Sequence, residues 1–334
     1  LMSTNIAING MGRIGRMVLR IALKNEALNV VAINASYPPE TIAHLINYDT
    51  THGRYDKRVE PIESGIRVEG HDIKLVSDRN PENLPWKDLE IDIVIEATGK
   101  FNHGDKAKAH IQAGAKKVLL TGPSKGGKVQ MVVKGVNDQD LDTDTYDIFS
   151  NASCTTNCIG PVAKVLNDSF GIENGLMTTV HAITNDQNNI DNPHKDLRRA
   201  RSCGESIIPT STGAAKALKE VMPELNGKLH GIALRVPTQN VSLVDLVVDL
   251  KQKVTVDEVN HAFRDANLQG IIDVEEAPLV SKDYNTNPHS AVIDAKNTMV
   301  MGDNKVKVIA WYDNEWGYSN RVVEVANQLG ELIK

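Results

Sequence analysis

Only three cysteines occur in the 334 residues: Cys154, Cys158 and Cys203. That is too few for a disulfide framework and suits a reducing compartment. No apolar stretch approaches the roughly 20 residues that a membrane-spanning helix requires. The segment "LMSTNIAING" has no basic stretch leading into an apolar run and a small-residue cleavage site, so a secretory leader is not expected. Long basic runs are missing too. The net charge is -6 at pH 7, the pI is about 6.0, and the bases are interleaved with acids. General electrostatic attraction to nucleic acid or to an anionic membrane is therefore not expected. These absences lead us to expect a soluble, cytoplasmic protein.

A hydrophobic content of 41% supplies a large core, and the length suits two domains. The apolar run "NIAIN" (5–9) leads into "GMGRIG", and "RMVLRIALKN" follows with Met17, Leu19, Ile21 and Leu23 taken as its helical apolar positions. Between a strand and a helix, a G-x-G-x-x-G pattern gains meaning. Gly10 permits the tight turn, Gly12 lets the backbone approach a pyrophosphate, and Gly15 allows close helix–strand packing. The anion would sit on the free N–H groups of the helix start. "NVVAIN" (29–34), "DIVIEATG" (92–99) and "KKVLLTG" (116–122) read as further strands, alternating with helical segments. This predicts a Rossmann-type, doubly wound parallel sheet, with Asn9, Asn34, Thr98, Gly99 and Thr121 around one crevice beyond the strand ends.

Another absence falls after the second strand. About 20 residues past the glycines, an NAD-binding fold usually offers an acid to the ribose 2'-hydroxyl. Here the stretch is "AINASYPPE", with Ala35 and Ser36 at that place and Glu40 beyond two prolines. A carboxylate would repel a 2'-phosphate, so its absence favours NADP, with NAD as the alternative.

The two cysteines four apart, in "SNASCTTNC", admit four readings: a metal clamp, a redox pair, two core residues, or a nucleophile beside a bystander. No further Cys or His stands at zinc-ligand spacing, so no metal site is expected. A redox pair is usually C-x-x-C. Ser150, Asn151 and Ser153 are capping types, and Pro161 fits only near a helix start, which places that start close to Cys154. Cys154 would then lie at a helix N-terminus, where the dipole favours thiolate. Cys158, with Ile159, Val162 and Leu166, would fall on the apolar face. A thiol enzyme needs a base, and His181, closing the β-rich "GLMTTVH" before a polar loop, is the candidate.

In order along the chain, "NGMGRIGR", "SNASCTTNC", "HAITNDQ", "PHKDLRRARS", "IIPTSTGAAKA", "LRVPTQNVS" and "WYDNEWGYSNR" resemble phosphorylating glyceraldehyde-3-phosphate dehydrogenases. The resemblance spans nearly the whole chain. "INASYPPE" and "VLLTGPSK" resemble the NADP-preferring, gluconeogenic bacterial branch. The family likeness implies a nucleotide domain over 1–152, completed by a C-terminal helix at 315–334. Between them it implies an α+β catalytic domain with a mixed sheet over 153–314, where "TVDEVNHAFRDA" opens with the capping box Thr255–Glu258.

The resemblance also implies the roles. Cys154 attacks the aldehyde of glyceraldehyde 3-phosphate, and His181 activates it and removes the proton as hydride leaves. Thr184 and Arg235, with Arg199 nearby, would hold the substrate phosphate. Ser153, Thr212 and Gly213, with Thr155 close by, would hold the attacking phosphate. Arg13 and Ile14 would line the pyrophosphate, Arg79 would lie near the adenosine, and Asn314 would hold the carboxamide beside Tyr318. The long polar loop of 185–201 implies a subunit interface, hence a homotetramer. Asn192 stands in it where NAD-preferring relatives have leucine, and Ile183 stands where a tyrosine is common. The competing readings are erythrose-4-phosphate dehydrogenase, which releases its acyl group with water, and a non-catalytic nucleotide-binding protein. The intact "TSTGAAKA" segment favours the phosphate-using enzyme.

Overall fold

The computed structural model describes residues 3–334, which form two compact units. The first contains the described residues up to Val132, Asp138–Ala152 and Ser319–Lys334; the second contains Val133–Asn137 and Ser153–Tyr318.

The first unit is built on a nine-stranded sheet. From one edge the strands run Gln130–Met131, Ile148–Ser150, Lys117–Leu120, Ile93–Glu96, Thr4–Asn9, Leu28–Asn34 and His71–Val76, all parallel, then Gly65–Val68 and Val59–Ile62, antiparallel. Chain order reverses between Thr4–Asn9 and Ile93–Glu96, and the crevice at such a switch is where these sheets bind ligands. All four residues of Ile93–Glu96 are buried, as expected of a central parallel strand covered on both faces. The antiparallel hairpin at the edge was not apparent from the sequence. Nor were the short strands Gln130–Met131 and Ile148–Ser150.

The helix Arg13–Ala22 follows the glycine turn. It buries Gly15, Met17, Val18, Leu19, Arg20 and Ala22, whereas Ile21 and Leu23 are half-buried. The expected set of Met17, Leu19, Ile21 and Leu23 is therefore corrected: its spacing of two cannot trace one helical face. Gly15, Val18, Leu19 and Ala22 can, at i, i+3, i+4 and i+7.

The second unit carries an eight-stranded mixed sheet. Its order is Ile208–Ser211, Leu229–Arg235, Ile172–His181, Ser242–Leu250, Lys305–Tyr312, Ala291–Asp294 and Ile272–Glu275, with Met299–Met301 paired beside Lys305–Tyr312. Ser242–Leu250 and Lys305–Tyr312 bury alternate residues, as expected of a sheet with one face against the core. The helices Cys154–Phe170, Ala214–Val221 and Val256–Asp265 pack in this unit. Thr255 and Glu258 form the capping box read from the sequence. Pro161 lies more than one turn into Cys154–Phe170, deeper than expected.

Candidate active site

Cys154 is the first residue of its helix. The Ser153 hydroxyl caps it by accepting from the Thr156 N–H at 3.0 Å, and Ala152 before it takes a left-handed φ of 57°. Cys154 is half-buried, whereas Cys158, one turn on, is fully buried in the core. The two thiols are thus separated as the helical reading expected.

His181 ends the strand Ile172–His181, and its Nε2 lies 3.5 Å from Cys154 Sγ. The parallel register places Arg235 beside it. Arg235 Nη1 is 2.6 Å from His181 Nδ1 and 3.0 Å from the Ala182 carbonyl, which Nδ1 itself approaches to 2.7 Å. A guanidinium can only donate. While Arg235 is there, Nδ1 acts as acceptor and the neutral ring carries its proton on Nε2, toward the sulfur. If Arg235 withdraws, Nδ1–H can donate to Ala182, and Nε2 is free to accept the thiol proton.

Burial, reinforced by the Arg235 charge, lowers the His181 pKa to about 3, so the ring is neutral at physiological pH. Burial also raises the Cys154 pKa, against the opposing pull of Arg235 and the hydrogen bonds of Thr155. This corrects the expectation of a resting thiolate. The Arg235 charge and the Thr155 hydrogen bonds favour ionisation, but desolvation of the sulfur outweighs them.

Tyr312 binds the two halves of this centre together. Its buried hydroxyl lies 2.8 Å from Thr155 Oγ1 and 2.7 Å from Thr179 Oγ1, and its ring meets His181 edge-on. One contact is on the helix that carries the sulfur; the other is on the strand that carries the imidazole. The Thr155 hydroxyl is therefore already engaged by Tyr312 beside the sulfur. The Thr212 hydroxyl accepts from the Ala214 N–H at 3.2 Å, and Gly213 is the N-cap of Ala214–Val221.

Arg199 is already engaged. Its Nη1 donates to Asp186 at 2.7 Å, its Nε to Thr210 at 2.9 Å and its Nη2 to the Ser211 carbonyl at 3.3 Å. Arg235 is the more available cation, because its buried Nε has no partner among the described residues. Thr184 is exposed. Asn192 is also exposed, its backbone N–H donating to the Ala200 carbonyl and its own carbonyl accepting from Asn188. The Ile183 N–H bonds the Thr238 carbonyl, and its side chain enters none of these hydrogen bonds. Asn314 Oδ1 accepts from the Ser242 hydroxyl at 2.9 Å, and Tyr318 is buried.

The first unit offers a separate, nucleotide-like cradle. Gly10 has φ 100°, and a Cβ there would meet the Thr98 side chain at 2.9 Å. A Cβ on Gly15 would lie 2.0 Å from the Gly10 carbonyl oxygen, so both positions require glycine. Gly12 differs: a Cβ there would meet nothing within 4 Å. It is the N-cap of a helix that no side chain caps, the kind of helix start that suits a pyrophosphate. Ile14 beside them is half-buried. The cradle fits the nucleotide.

Several expected contacts are already taken. Arg13 pairs with Asp49, whose pKa is lowered to about 2: burial is the largest single effect and raises it, but the hydrogen bonds from Arg13 and the His52 N–H, with the Arg13 charge, together outweigh that cost. Asn34 donates to Asn9 Oδ1 at 2.7 Å and to the Asp78 carbonyl at 2.8 Å, and it accepts from the Asp78 N–H at 3.1 Å. Its amide therefore clamps the 77–80 loop rather than reaching for a ligand. Thr98 Oγ1 donates to Glu96 Oε1 at 2.5 Å, and Thr121 Oγ1 donates to the Glu96 carbonyl at 3.1 Å. Both threonines thus build the crevice wall, alongside Gly99 at φ 73°. Sequence reasoning missed the group beneath. Buried Glu96 accepts from Asn9 at 2.6 Å and lies 2.7 Å from His110 Nε2, while Trp86 Nε1 donates to His110 Nδ1 at 2.9 Å. Ala35 is half-buried and Ser36 exposed; Arg79 is exposed and unpaired among the described residues.

Among the described residues, no group of three or more His, Cys, Asp and Glu is placed to hold a metal ion, and no helix is long and apolar enough to cross a membrane.

Residues 4–104 match the family profile described as "Glyceraldehyde 3-phosphate dehydrogenase, NAD binding domain". Residues 153–314 match "Glyceraldehyde 3-phosphate dehydrogenase, C-terminal domain". The chain is 83% identical over 332 residues to "Glyceraldehyde-3-phosphate dehydrogenase 2" of Staphylococcus epidermidis, covering 99% of this chain and 97% of the relative. It is 82% identical, with the same coverage, to the protein of that name from Staphylococcus aureus. The chain belongs to the glyceraldehyde-3-phosphate dehydrogenase family.

Proposed function

We propose that the protein converts glyceraldehyde 3-phosphate, inorganic phosphate and an oxidised nicotinamide nucleotide into 1,3-bisphosphoglycerate and the reduced nucleotide, and catalyses the reverse. The observation that carries this reading is the thiol–imidazole contact of Cys154 and His181 with the Arg235 cation against it. The substrate phosphate draws Arg235 from Nδ1, and His181 Nε2 takes the thiol proton. The sulfur then attacks the aldehyde carbon, and the imidazolium with the Cys154 N–H stabilises the alkoxide. The bound nicotinamide supplies a hydride acceptor for that carbon. The thioester left on Cys154 is attacked by phosphate, and the sulfur departs as thiolate. Arg235 and Thr184 hold the substrate phosphate, with Arg199 as a second cation fixed by Asp186. Ser153, Thr212 and Gly213 offer hydroxyl and helix-terminal groups to the attacking phosphate.

In the first unit the pyrophosphate of the nucleotide rests on Gly10, Gly12 and Gly15 with Ile14; in the second unit Asn314 is the carboxamide contact that the family likeness implies. NADP is the preferred form. Ala35 and Ser36 place no acid at the strand end, and exposed Arg79, unpaired among the described residues, follows the strand His71–Val76, whose Val76 carbonyl accepts the Ala35 N–H. The working direction is then reductive, toward triose phosphate, as in the gluconeogenic branch that the motifs resemble. The location is cytoplasmic, and the assembly is a homotetramer. Exposed Leu176 and Ile232 on neighbouring strands, with Ile190, Leu197 and Ile207, supply apolar surface for it.

Steady-state kinetics with NADP and NAD in both directions, with and without inorganic phosphate, test the reading. Acyl phosphate formation should require phosphate; release by water alone would favour an erythrose-4-phosphate type of dehydrogenase. Cys154→Ser should abolish activity while retaining nucleotide binding. Ala35→Asp should shift preference toward NAD, and an unchanged NADP:NAD ratio would refute the explanation of selectivity.

A further inference from the structure

Asn314 is 6% exposed and Ser242 1% exposed, and the hydrogen bonds between them run in one direction only. The Ala182 N–H donates to Ser242 Oγ at 3.0 Å. A backbone N–H can only donate, so the hydroxyl accepts there; its own proton then has no acceptor among the described residues except Asn314, 2.9 Å away, and an Nδ2 in that place would leave this buried proton unpaired. The amide atom facing Ser242 must then be the acceptor, Oδ1. Nδ2 points elsewhere and has no partner among the described residues. The relay starts at Ala182, the residue after the imidazole.

The backbone is arranged to hold this relay. Val241, β-branched and buried, has φ 71°, a region that such residues avoid except where the surroundings enforce it. On one side of it Asn240 Nδ2 donates to Asp313 Oδ2 at 2.9 Å; on the other Ser242 donates to Asn314. The left-handed residue thus lets two successive polar side chains clamp two successive residues at the end of a neighbouring strand.

We propose that Ser242 is a positioning residue that fixes the polarity of the Asn314 amide, so that the chain presents a donor, Nδ2, to the carboxamide carbonyl of the nicotinamide. This rests on the reading of Asn314 as the carboxamide contact. It makes recognition depend on the carbonyl oxygen of the ring substituent and not on its amide nitrogen.

Isothermal titration calorimetry tests it, using the nucleotide that binds more tightly (NADP or NAD) and its 3-acetylpyridine analogue, which keeps the carbonyl and lacks the NH2. Asn314→Ala should raise the Kd of the natural nucleotide about three- to tenfold, the size of one hydrogen bond. Ser242→Ala should raise it about threefold in the parent and less than about 1.5-fold on an Asn314→Ala background, because its effect passes through Asn314. Equal effects in both backgrounds would assign Ser242 a general structural role and overturn the proposal. If Asn314→Ala leaves Kd unchanged, the carboxamide reading fails, and the proposal with it. The polarity is read separately from Asn314→Asp, whose oxygens only accept. The acetylpyridine analogue should then lose more affinity than the carboxamide nucleotide, and equal losses would refute a presented donor. Should Ser242→Ala fail to fold, Ser242→Cys, a weaker donor and acceptor of similar shape, replaces it with the same criteria.

Discussion

The glycine turn of the nucleotide unit and the thiol–imidazole pair of the catalytic unit are constructed in opposite ways. The turn is made of backbone from one short stretch, and its function comes from side chains being absent. Gly10 and Gly15 leave room for chain to pass chain, and Gly12 leaves room for a ligand. The catalytic pair is made of side chains brought together from residues 154, 155, 179, 181, 235 and 312 by a helix and three strands. A backbone-made site fails when an atom is added, and a side-chain-made site fails when a partner is removed.

The first way to break the comparison is to add a methyl at two glycines of the same turn. Gly15→Ala pushes a Cβ to 2.0 Å from the Gly10 carbonyl and should destabilise the protein by about 3 kcal/mol or more, read from urea melts. Gly12→Ala meets nothing in the protein. It should leave the melt within about 0.5 kcal/mol of the parent and weaken nucleotide binding instead. If both variants melt alike, the separation of packing glycine from ligand glycine is wrong.

In the other unit, Tyr312→Phe removes only an oxygen, yet it leaves the Thr155 and Thr179 hydroxyls without their shared partner. A loss of about 1–3 kcal/mol is expected. Because one threonine is on the helix of Cys154 and the other on the strand of His181, kcat should fall while nucleotide Kd holds. A variant that melts earlier but keeps kcat would make Tyr312 a packing residue alone.

This difference in construction also decides what could be read from the sequence. The glycine turn, the parallel strands and the cap at Ser153 were legible because each is local. So was the separation of Cys154 from Cys158, since helical spacing alone sends the second into the core. The contact of Cys154 with His181 could be guessed only by chemistry and by likeness to a family. Arg13 and Asn34 show the limit most plainly. The residue types suit a nucleotide, but Asp49 engages the first and Asn9 with Asp78 the second, through folding that no spacing reveals. Ser242 and Tyr312 left a fainter signal: each is a polar group at a buried position of an alternating strand, where a hydroxyl must find a partner. The sign of the Cys154 pKa shift was misread for the same reason, because a helix start is visible in sequence and burial is not.

That sign offers the smallest and sharpest measurement. With the thiol pKa raised above its ordinary value, alkylation of Cys154 by iodoacetamide should still be rising at pH values where an exposed thiol, with a pKa of about 8.5, has levelled off. With His181 lowered to about 3, no inflection belongs near pH 6.5, because the ring is neutral on both sides of it. Arg235 acts on both groups, favouring the thiolate and disfavouring the imidazolium. Arg235→Gln should therefore move the alkylation profile to still higher pH, by less than about one unit or 1.4 kcal/mol, while raising the proton affinity of His181. A profile that moves to lower pH would mean that Arg235 does not stabilise the thiolate, and that the cation beside His181 serves the substrate alone.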